Sequence, residues 1–450
     1  MKSTENPWVD RFRAVDDLDV IRQRTRVRVE PLRLLHQDPD LVAAKRVDLA
    51  LSRIFYPTQR SCKIIQYVVQ TALAHAQMYH ASSHDHLSRA YLEKLDIDPY
   101  VPMLLTGLAG TGKTQIHKAL TRLLGDDSTI KPDAGHGQMP LIAMRSITAQ
   151  GKDQLSTLLL PLANPELANR SGGFRVRDLP EACAHWLYLT GVCLVVVDEL
   201  QFVTQSPKAS TLIARVLLGF TYLRLPILML GNYSLGHRLE ARTYEEKQRL
   251  LGRPMVLLPD PPDSADWLAI LREYQRTLPE VFNFDLVKRA MELWQFSAGV
   301  KRELVKLLTL AYEAARENQH QEVSWSDIET AYKSTQYSSA RHDIEALGTH
   351  GVRSSALRDD LRCPFTLPTA EATPYTQALS DARRITVAAQ CREAAMTQSE
   401  RDAHSNIQGD LNTGRPTSTR PPDKTSRRRK EERSAEALKE AAAQFRKMRQ

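Results

Sequence analysis

Nowhere in the 450 residues does an uninterrupted apolar run approach the roughly 18 residues that a helix needs to cross a bilayer. A membrane-spanning reading is excluded on that ground. The opening MKSTENPWVDRFRAVDD carries no apolar core of the kind a secretory leader requires, so an intracellular protein is expected. Cysteine is scarce: Cys62, Cys183, Cys193, Cys363 and Cys391 are scattered without a C-x-x-C pair, which indicates neither a disulfide framework nor a zinc module. Four histidines, His75, His80, His84 and His86, fall close together, but no acidic or cysteine partner set accompanies them. A solvated helix end is the expected reading. Aromatic residues make up only 6% of the chain, diluted by sequence with no core-forming pattern. Excess charge is also missing from most of it. The net charge is +8, but from Arg401 onward 13 Lys and Arg stand against 7 Asp and Glu, leaving the rest nearly neutral. Any polyanion must therefore be met by the basic tail or by a few well-placed cations.

What is present centres on VPMLLTGLAGTGKTQIHKALTRLL, Val101 to Leu124. A short apolar run joins an amphipathic helix through Gly107, Gly110, Gly112, Lys113 and Thr114, the G-x-x-x-x-G-K-T spacing of a phosphate-binding loop. Gly107 lets the chain leave a strand sharply. Gly110 and Gly112 remove side chains that would keep backbone N–H groups from surrounding a phosphate. Lys113 has the reach for β- and γ-phosphates, the Thr114 hydroxyl is a hard ligand for Mg²⁺, and the following helix turns its N-terminus toward the anion. Gln115 belongs with this loop as a nucleotide-binding residue.

Along the chain, residues 1–40 are polar and rich in Arg and Asp. Their alternating stretch Arg22 to His36 suits an extended arm, an edge strand or a flexible docking segment. Residues 41–260 alternate helices with strands, which implies right-handed crossovers and a parallel sheet. Helical periodicity from Leu41 to Gln77 breaks at Pro57, with Thr58 a candidate cap. Strands are expected at Val101–Thr106, Met139–Arg145, Val192–Val197, Pro226–Asn232 and Met255–Asp260, with Ser146–Gln154 as loop and Trp186 in the core. Residues 261–337 read as a small all-helical domain, in which Ser324 opens a capping box with Asp327. From Ser338 to the end, Ser, Thr, Pro and Arg accumulate, and a largely disordered basic tail with a possible terminal helix is expected.

A phosphate loop by itself says only that a nucleotide binds. Asp198 and Glu199, ending the apolar run VCLVVVDE, add a carboxylate for the metal and a second one to polarise an attacking water. Asn232, ending LMLGN, offers an amide to the water and the γ-phosphate. In the helical domain Lys301 and Arg302 open a helix, and Arg302 has the bidentate fork. This order of loop, Asp-Glu strand, Asn-ended strand and Arg-bearing lid resembles the AAA+ ATPase superfamily over about Leu41 to Lys333. The resemblance implies an α/β P-loop domain with a five-stranded parallel sheet, ATP and Mg²⁺ between it and a helical lid, and a ring or helical filament of identical subunits. It also implies an arginine finger reaching a neighbour's site, for which Arg249 and Arg253 are the favoured positions.

Within that superfamily LMLGNYSLGHRL, RLLGRPMVLLPDPPDSADW and RIFYPTQR resemble the TnsC/TniB group of transposition regulators, relatives of MuB. Such proteins imply ATP-dependent oligomers on double-stranded DNA that link a target-site selector protein to transposase subunits, the latter reached through the C-terminal tail. They imply a bacterial cytoplasmic, DNA-associated location. They also imply DNA-lining insertions between the two nucleotide motifs, here Lys152, Arg170, Arg175 and Arg177. Two alternatives stand beside this reading: a replication initiator or helicase loader, and a scaffold that binds nucleotide without hydrolysing it.

Overall fold

The computed structural model describes residues 6–90, 95–125, 127–131, 137–149, 155–165, 178–200, 216–367 and 369–396. The chain divides into two compact units, Met1–Ala389 and Gln390–Gln450; the fold below is that of the first. It begins with helices α1 (Pro7–Arg13) and α2 (Leu18–Thr25), where an arm or edge strand was expected. Asn6 caps α1 by accepting from the Trp8 and Val9 amides, and Pro7 supplies the fixed φ favoured at a first helical position. Trp8, Phe12 and Ile21 are at most 1% exposed. Four-residue spacing puts Trp8 and Phe12 on one face, and Arg11 beside them reaches inward to the Gly191 carbonyl. Residues 26–34, after α2, lie between the helices without helical structure. They bridge Val27 to Phe55, and the Leu32 amide donates to the Thr277 carbonyl.

Helices α3 (Asp40–Arg53) and α4 (Gln59–Tyr79) flank the break at Pro57, and Thr58 caps α4 by accepting from the Ser61 amide. After α5 (Ser83–Ala90) the central sheet begins with β1 (Met103–Thr106), followed by α6 (Lys113–Leu124). The expected single strand over 139–145 is two. β2 (Ser128–Ile130) and β3 (Met139–Leu141) form a separate antiparallel pair. β4 (Met144–Thr148) enters the main sheet and extends into the segment expected as loop. Then follow α7 (Leu155–Leu159), α8 (Leu179–Leu189), β5 (Leu194–Asp198) and β6 (Ile227–Leu230). α9 (Tyr233–Glu240), α10 (Tyr244–Leu250) and β7 (Arg253–Val256) complete this part. Trp186 on α8 is half-buried rather than in the core.

The sheet is parallel throughout, in the order β4-β5-β6-β1-β7. It is the five-stranded parallel α/β sheet expected from the sequence, with the glycine loop following its β1. β5, β6 and β1 are buried at every position, which explains their unbroken apolar runs. Their period of two divides the core. Leu104, Val195, Val197, Ile227 and Met229 face α3, α8 and the helical lid, whereas Met103, Leu105, Val196, Leu228 and Leu230 face α1, α2, α4 and α6.

The lid comprises α11 (Ala265–Thr277), α12 (Ala290–Ser297), α13 (Lys301–Glu317) and α14 (Trp325–Lys333), the last with the expected Ser324–Asp327 capping box. Order then continues past Ser338, where the tail was placed. α15 (Ser338–His350) and the following segment bury Ile344, Leu347, Val352, Leu361, Cys363 and Phe365. Tyr375, on α16 (Thr369–Ala395), donates its hydroxyl to the Ala298 carbonyl and meets Trp294 edge-on, with ring centres 5.7 Å apart. Ala340, Ile344 and Leu347 follow helical spacing, whereas Val352, Leu361, Cys363 and Phe365 have no period that announces them. Residues 397–450, with most of the tail's basic charge, lie outside the described residues.

Candidate nucleotide-binding site

β1 and β6 are neighbours in the sheet, and the chain leaves them toward opposite edges. Such a switch point opens a crevice beyond the carboxyl ends of the strands. The β1–α6 loop, Asp198 and Glu199 after β5 and Asn232 after β6 all line one cavity of about 540 Å³ there, which Lys301, Arg302 and Val305 of α13 close from the lid side. Gly107, Leu108 and the half-buried Lys113 are arranged so that the Lys113 Nζ donates to the Gly107 carbonyl at 2.9 Å and to the Leu108 carbonyl at 2.8 Å. Burial pulls the Lys113 ammonium down to about 8; Arg302 adds to the fall, and Asp198 and Glu199 oppose it. A cation held by neutral carbonyls in a cavity of this kind is suited to an anionic ligand.

Backbone conformation explains two of the glycines. Gly112 has φ +111°, with open space where a Cβ would stand. Gly110 has φ +85°, and a Cβ there would lie 2.7 Å from Arg302 Cβ. Gly110 thus gives room to the lid, whose Arg302 amide donates to the Gly110 carbonyl at 3.3 Å. Glu199 takes a left-handed φ of 61° that costs a residue with a side chain about 1–3 kcal/mol. Its amide donates to Asp198 Oδ1 at 2.8 Å, while Asp198 Oδ2 lies 3.2 Å from His117 Nδ1. Asn232 Oδ1 caps α9, accepting from the Leu235 amide and the Ser234 hydroxyl, which leaves its NH₂ for other partners.

Thr114 lines the cavity and is exposed, and Gln115 donates to the Ser52 carbonyl at 3.3 Å. Arg249 and Arg253 are not among the cavity's lining residues. Arg249 is exposed and paired with Glu245 at 2.8 Å, and Arg253 stacks over the Tyr67 ring at 4.3 Å. Lys152, Arg170, Arg175 and Arg177 lie outside the described residues. Sequence reasoning did not foresee the apolar wall that Ile54, Phe55, Tyr56, Ile270 and Tyr274 add. Its residues come from a break between helices and from one face of α11, where the only advance signal is the aromatic pair in RIFYPTQR.

No family model and no curated protein matches the chain. Solved structures do match. The Aeropyrum pernix ORC1 protein in complex with DNA is 22% identical with a TM-score of 0.35, over 63% of this chain and 68% of that one. Cdc6p from Pyrobaculum aerophilum is 13% identical with a TM-score of 0.36, over 68% and 94%. The Thermotoga maritima RuvB Holliday junction branch migration motor is 12% identical with a TM-score of 0.34, over 70% and 86%. Similarity at this level says nothing of what the chain acts on.

Proposed function

We propose that the chain is an ATPase switch that assembles on double-stranded DNA in its ATP state and couples a target-site selector to a transposase, with hydrolysis dissolving the assembly. The observation that carries the nucleotide part is the convergence of the glycine loop, Lys113, Asp198, Glu199, Asn232 and Arg302 on one cavity. The donor set fits a magnesium nucleotide: an ammonium hydrogen-bonded to two backbone carbonyls, a threonine hydroxyl and a buried carboxylate. Mg²⁺ held by Thr114 and Asp198 would neutralise charge building on the β–γ bridge.

Lys113 exchanges its loop carbonyls for phosphate oxygens when substrate enters. Glu199, held next to Asp198 by its own strained backbone, accepts hydrogen bonds from the attacking water and takes its proton. The Asn232 NH₂ orients that water. Arg302 reads the phosphates from the lid, so ATP draws α13 toward the loop. Arg249 or Arg253, both at the surface, supplies the finger to a neighbour's site, and Lys152, Arg170, Arg175 and Arg177 contact DNA phosphates. The transposition output is supported by the likeness of LMLGNYSLGHRL, RIFYPTQR and RLLGRPMVLLPDPPDSADW to transposition regulators, and the basic C-terminal charge suits a docking arm.

Electron microscopy of the full chain with duplex DNA and a non-hydrolysable ATP analogue tests the proposal, beside a phosphate-release assay with and without DNA. Rings or filaments are expected with wild type and absent with Lys113→Ala. DNA association that is unchanged by Lys113→Ala overturns it. Phosphate release with helicase delivery and no transposase stimulation would assign the chain to a helicase loader instead.

A further inference from the structure

β5 has polar groups at both of its ends. Beyond its amino end, Cys193 lies with His75 of α4 and His80, the residue that caps α4, and all three are at most 1% exposed. One ring nitrogen of each histidine and the Cys193 Sγ lie within 4.8 Å of one another. The expected solvated helix end is therefore absent here: among these histidines only His84 is largely exposed, with 91% of its side chain open to solvent. The missing cysteine partner comes from more than a hundred residues downstream.

The hydrogen bonds of this cluster are incomplete in a particular way. His80 Nδ1 and His86 Nδ1 are 2.8 Å apart, so one ring donates and the other accepts. The Nε2 atoms of both rings are buried; the Leu189 backbone lies beside the His86 ring and favours its charged form, whereas His80 Nε2 has no hydrogen-bond partner. With His80 Nδ1–H donating to His86, His80 Nε2 is a lone pair that nothing fills. Protonation does not relieve this. Burial lowers His75 to about 3 and His86 to about 4, and it drives His80 well down, with His86 and His75 adding to the fall. Neutral imidazoles with available lone pairs are the form in which histidine binds metal.

The surroundings already resemble an outer ligand shell. His75 Nδ1 is 3.1 Å from the Tyr100 hydroxyl, and His80 Nδ1 has His86, so Nε2 is the atom left to each for a ligand. A metal-binding histidine usually hands its other N–H to such a partner, which fixes the tautomer. Tyr188 stacks on His80 at 4.6 Å and Trp8 on His86 at 4.7 Å, holding the ring planes. Arg11 contacts Cys193 Sγ at 3.5 Å, and its pull on the thiol opposes the effect of burial.

We propose that His75 Nε2, His80 Nε2 and the Cys193 thiolate bind one divalent transition-metal ion, zinc by preference. Sulfur with two imidazoles is a donor set that zinc accepts, at bonds of about 2.0–2.3 Å, so the three side chains draw together by about 1 Å on binding. The Cys193 thiol gives up its proton to solvent as the metal–sulfur bond forms. The ion ties the end of α4 to the start of β5 beside α1. Three protein ligands leave the fourth position to water, and the ion lies at the opposite end of the strand from Asp198.

Elemental analysis of the full chain, purified without a polyhistidine tag, tests the assignment. Stoichiometric zinc is expected, retained by His84→Ala and lost from Cys193→Ser and His80→Ala. Cobalt(II) is expected to give a thiolate-to-metal charge-transfer band that Cys193→Ser abolishes. Because those variants can fail to fold, the wild-type chain supplies a second measurement: a chelator lowers its Tm and zinc, but not magnesium, restores it. A wild-type chain that holds no zinc and gains neither the cobalt band nor a Tm shift overturns the proposal. Zinc retained equally by Cys193→Ser and His80→Ala overturns it as well, because the ion then lies elsewhere.

Discussion

The two ends of β5 place polar groups under opposite conditions. At the carboxyl end Asp198 and Glu199 border a cavity of about 540 Å³ shared with two lysines, an arginine and the mouth of a glycine loop. About 17 Å away, the length of five strand residues, Cys193 and three buried histidines are enclosed by Trp8, Tyr100 and Tyr188. At the first end, groups of opposite charge share one cavity with room for an ion. At the second, burial drives every imidazole neutral. The same strand thus separates a site suited to changing partners from one suited to a fixed occupant.

The largest effect that should confine itself to one end is Glu199→Gln. Phosphate release is expected to fall by about 10²–10⁴ while nucleotide binding persists, since only the water's base is removed. Unchanged turnover would remove Glu199 from the chemistry. Phe12→Ala, on the amino-end side of the sheet, should do the reverse. Deleting a fully buried ring should cost about 3–5 kcal/mol in denaturant unfolding. Nucleotide affinity at temperatures where the variant remains folded should stay as it was. Gly110→Ala is milder. The Cβ meets Arg302 at 2.7 Å in a left-handed backbone, so about 1–3 kcal/mol of loop strain is expected, relieved by moving the lid. Lid closure should weaken, read as a raised KM for ATP with little change in Tm. If Gly110→Ala raised the KM as much in an Arg302→Gly background, which lacks that Cβ, as in the wild type, the contact would not be the cause.

Contiguity decided what could be read from the chain. The glycine loop is one uninterrupted segment, and the apolar run of β5 suits a strand buried on both faces, so a parallel sheet was legible, though not its strand order or the split over 139–145. Gly110 was legible as a glycine but not as a lid contact, because Arg302 is nearly two hundred residues away. The helices at 7–25 were hidden by their Arg and Asp content. Asn6-Pro7 followed by Trp8 and Phe12 at four-residue spacing was the signal available. In the folded extension past Ser338 a signal was available only at Ala340, Ile344 and Leu347, since Val352, Leu361 and Phe365 follow no period and pack into the common core. His75, His80 and Cys193 fail as a motif for the same reason: their spacing belongs to the fold.

The smallest expected effect concerns Lys113 and separates the two ends by pH. Its ammonium falls from an ordinary 10.5 to about 8, chiefly through burial, with Arg302 contributing and Asp198 and Glu199 opposing. Between those two values the unfolded chain binds more proton at this residue than the folded one, so this group's contribution makes the fold more stable as pH rises across that window. Nucleotide affinity should move the other way, because the neutral amine is a poorer partner for phosphate. Above about pH 8 the dissociation constant should rise by at most roughly tenfold per pH unit. Titration calorimetry with an ATP analogue at pH 7, 8 and 9 measures it, and Lys113→Arg, which stays charged, should flatten the profile. A slope that persists in Lys113→Arg would place the titrating group elsewhere. The zinc content set by Cys193 should not change across that range, which keeps the carboxyl-end effect distinct from the amino-end one.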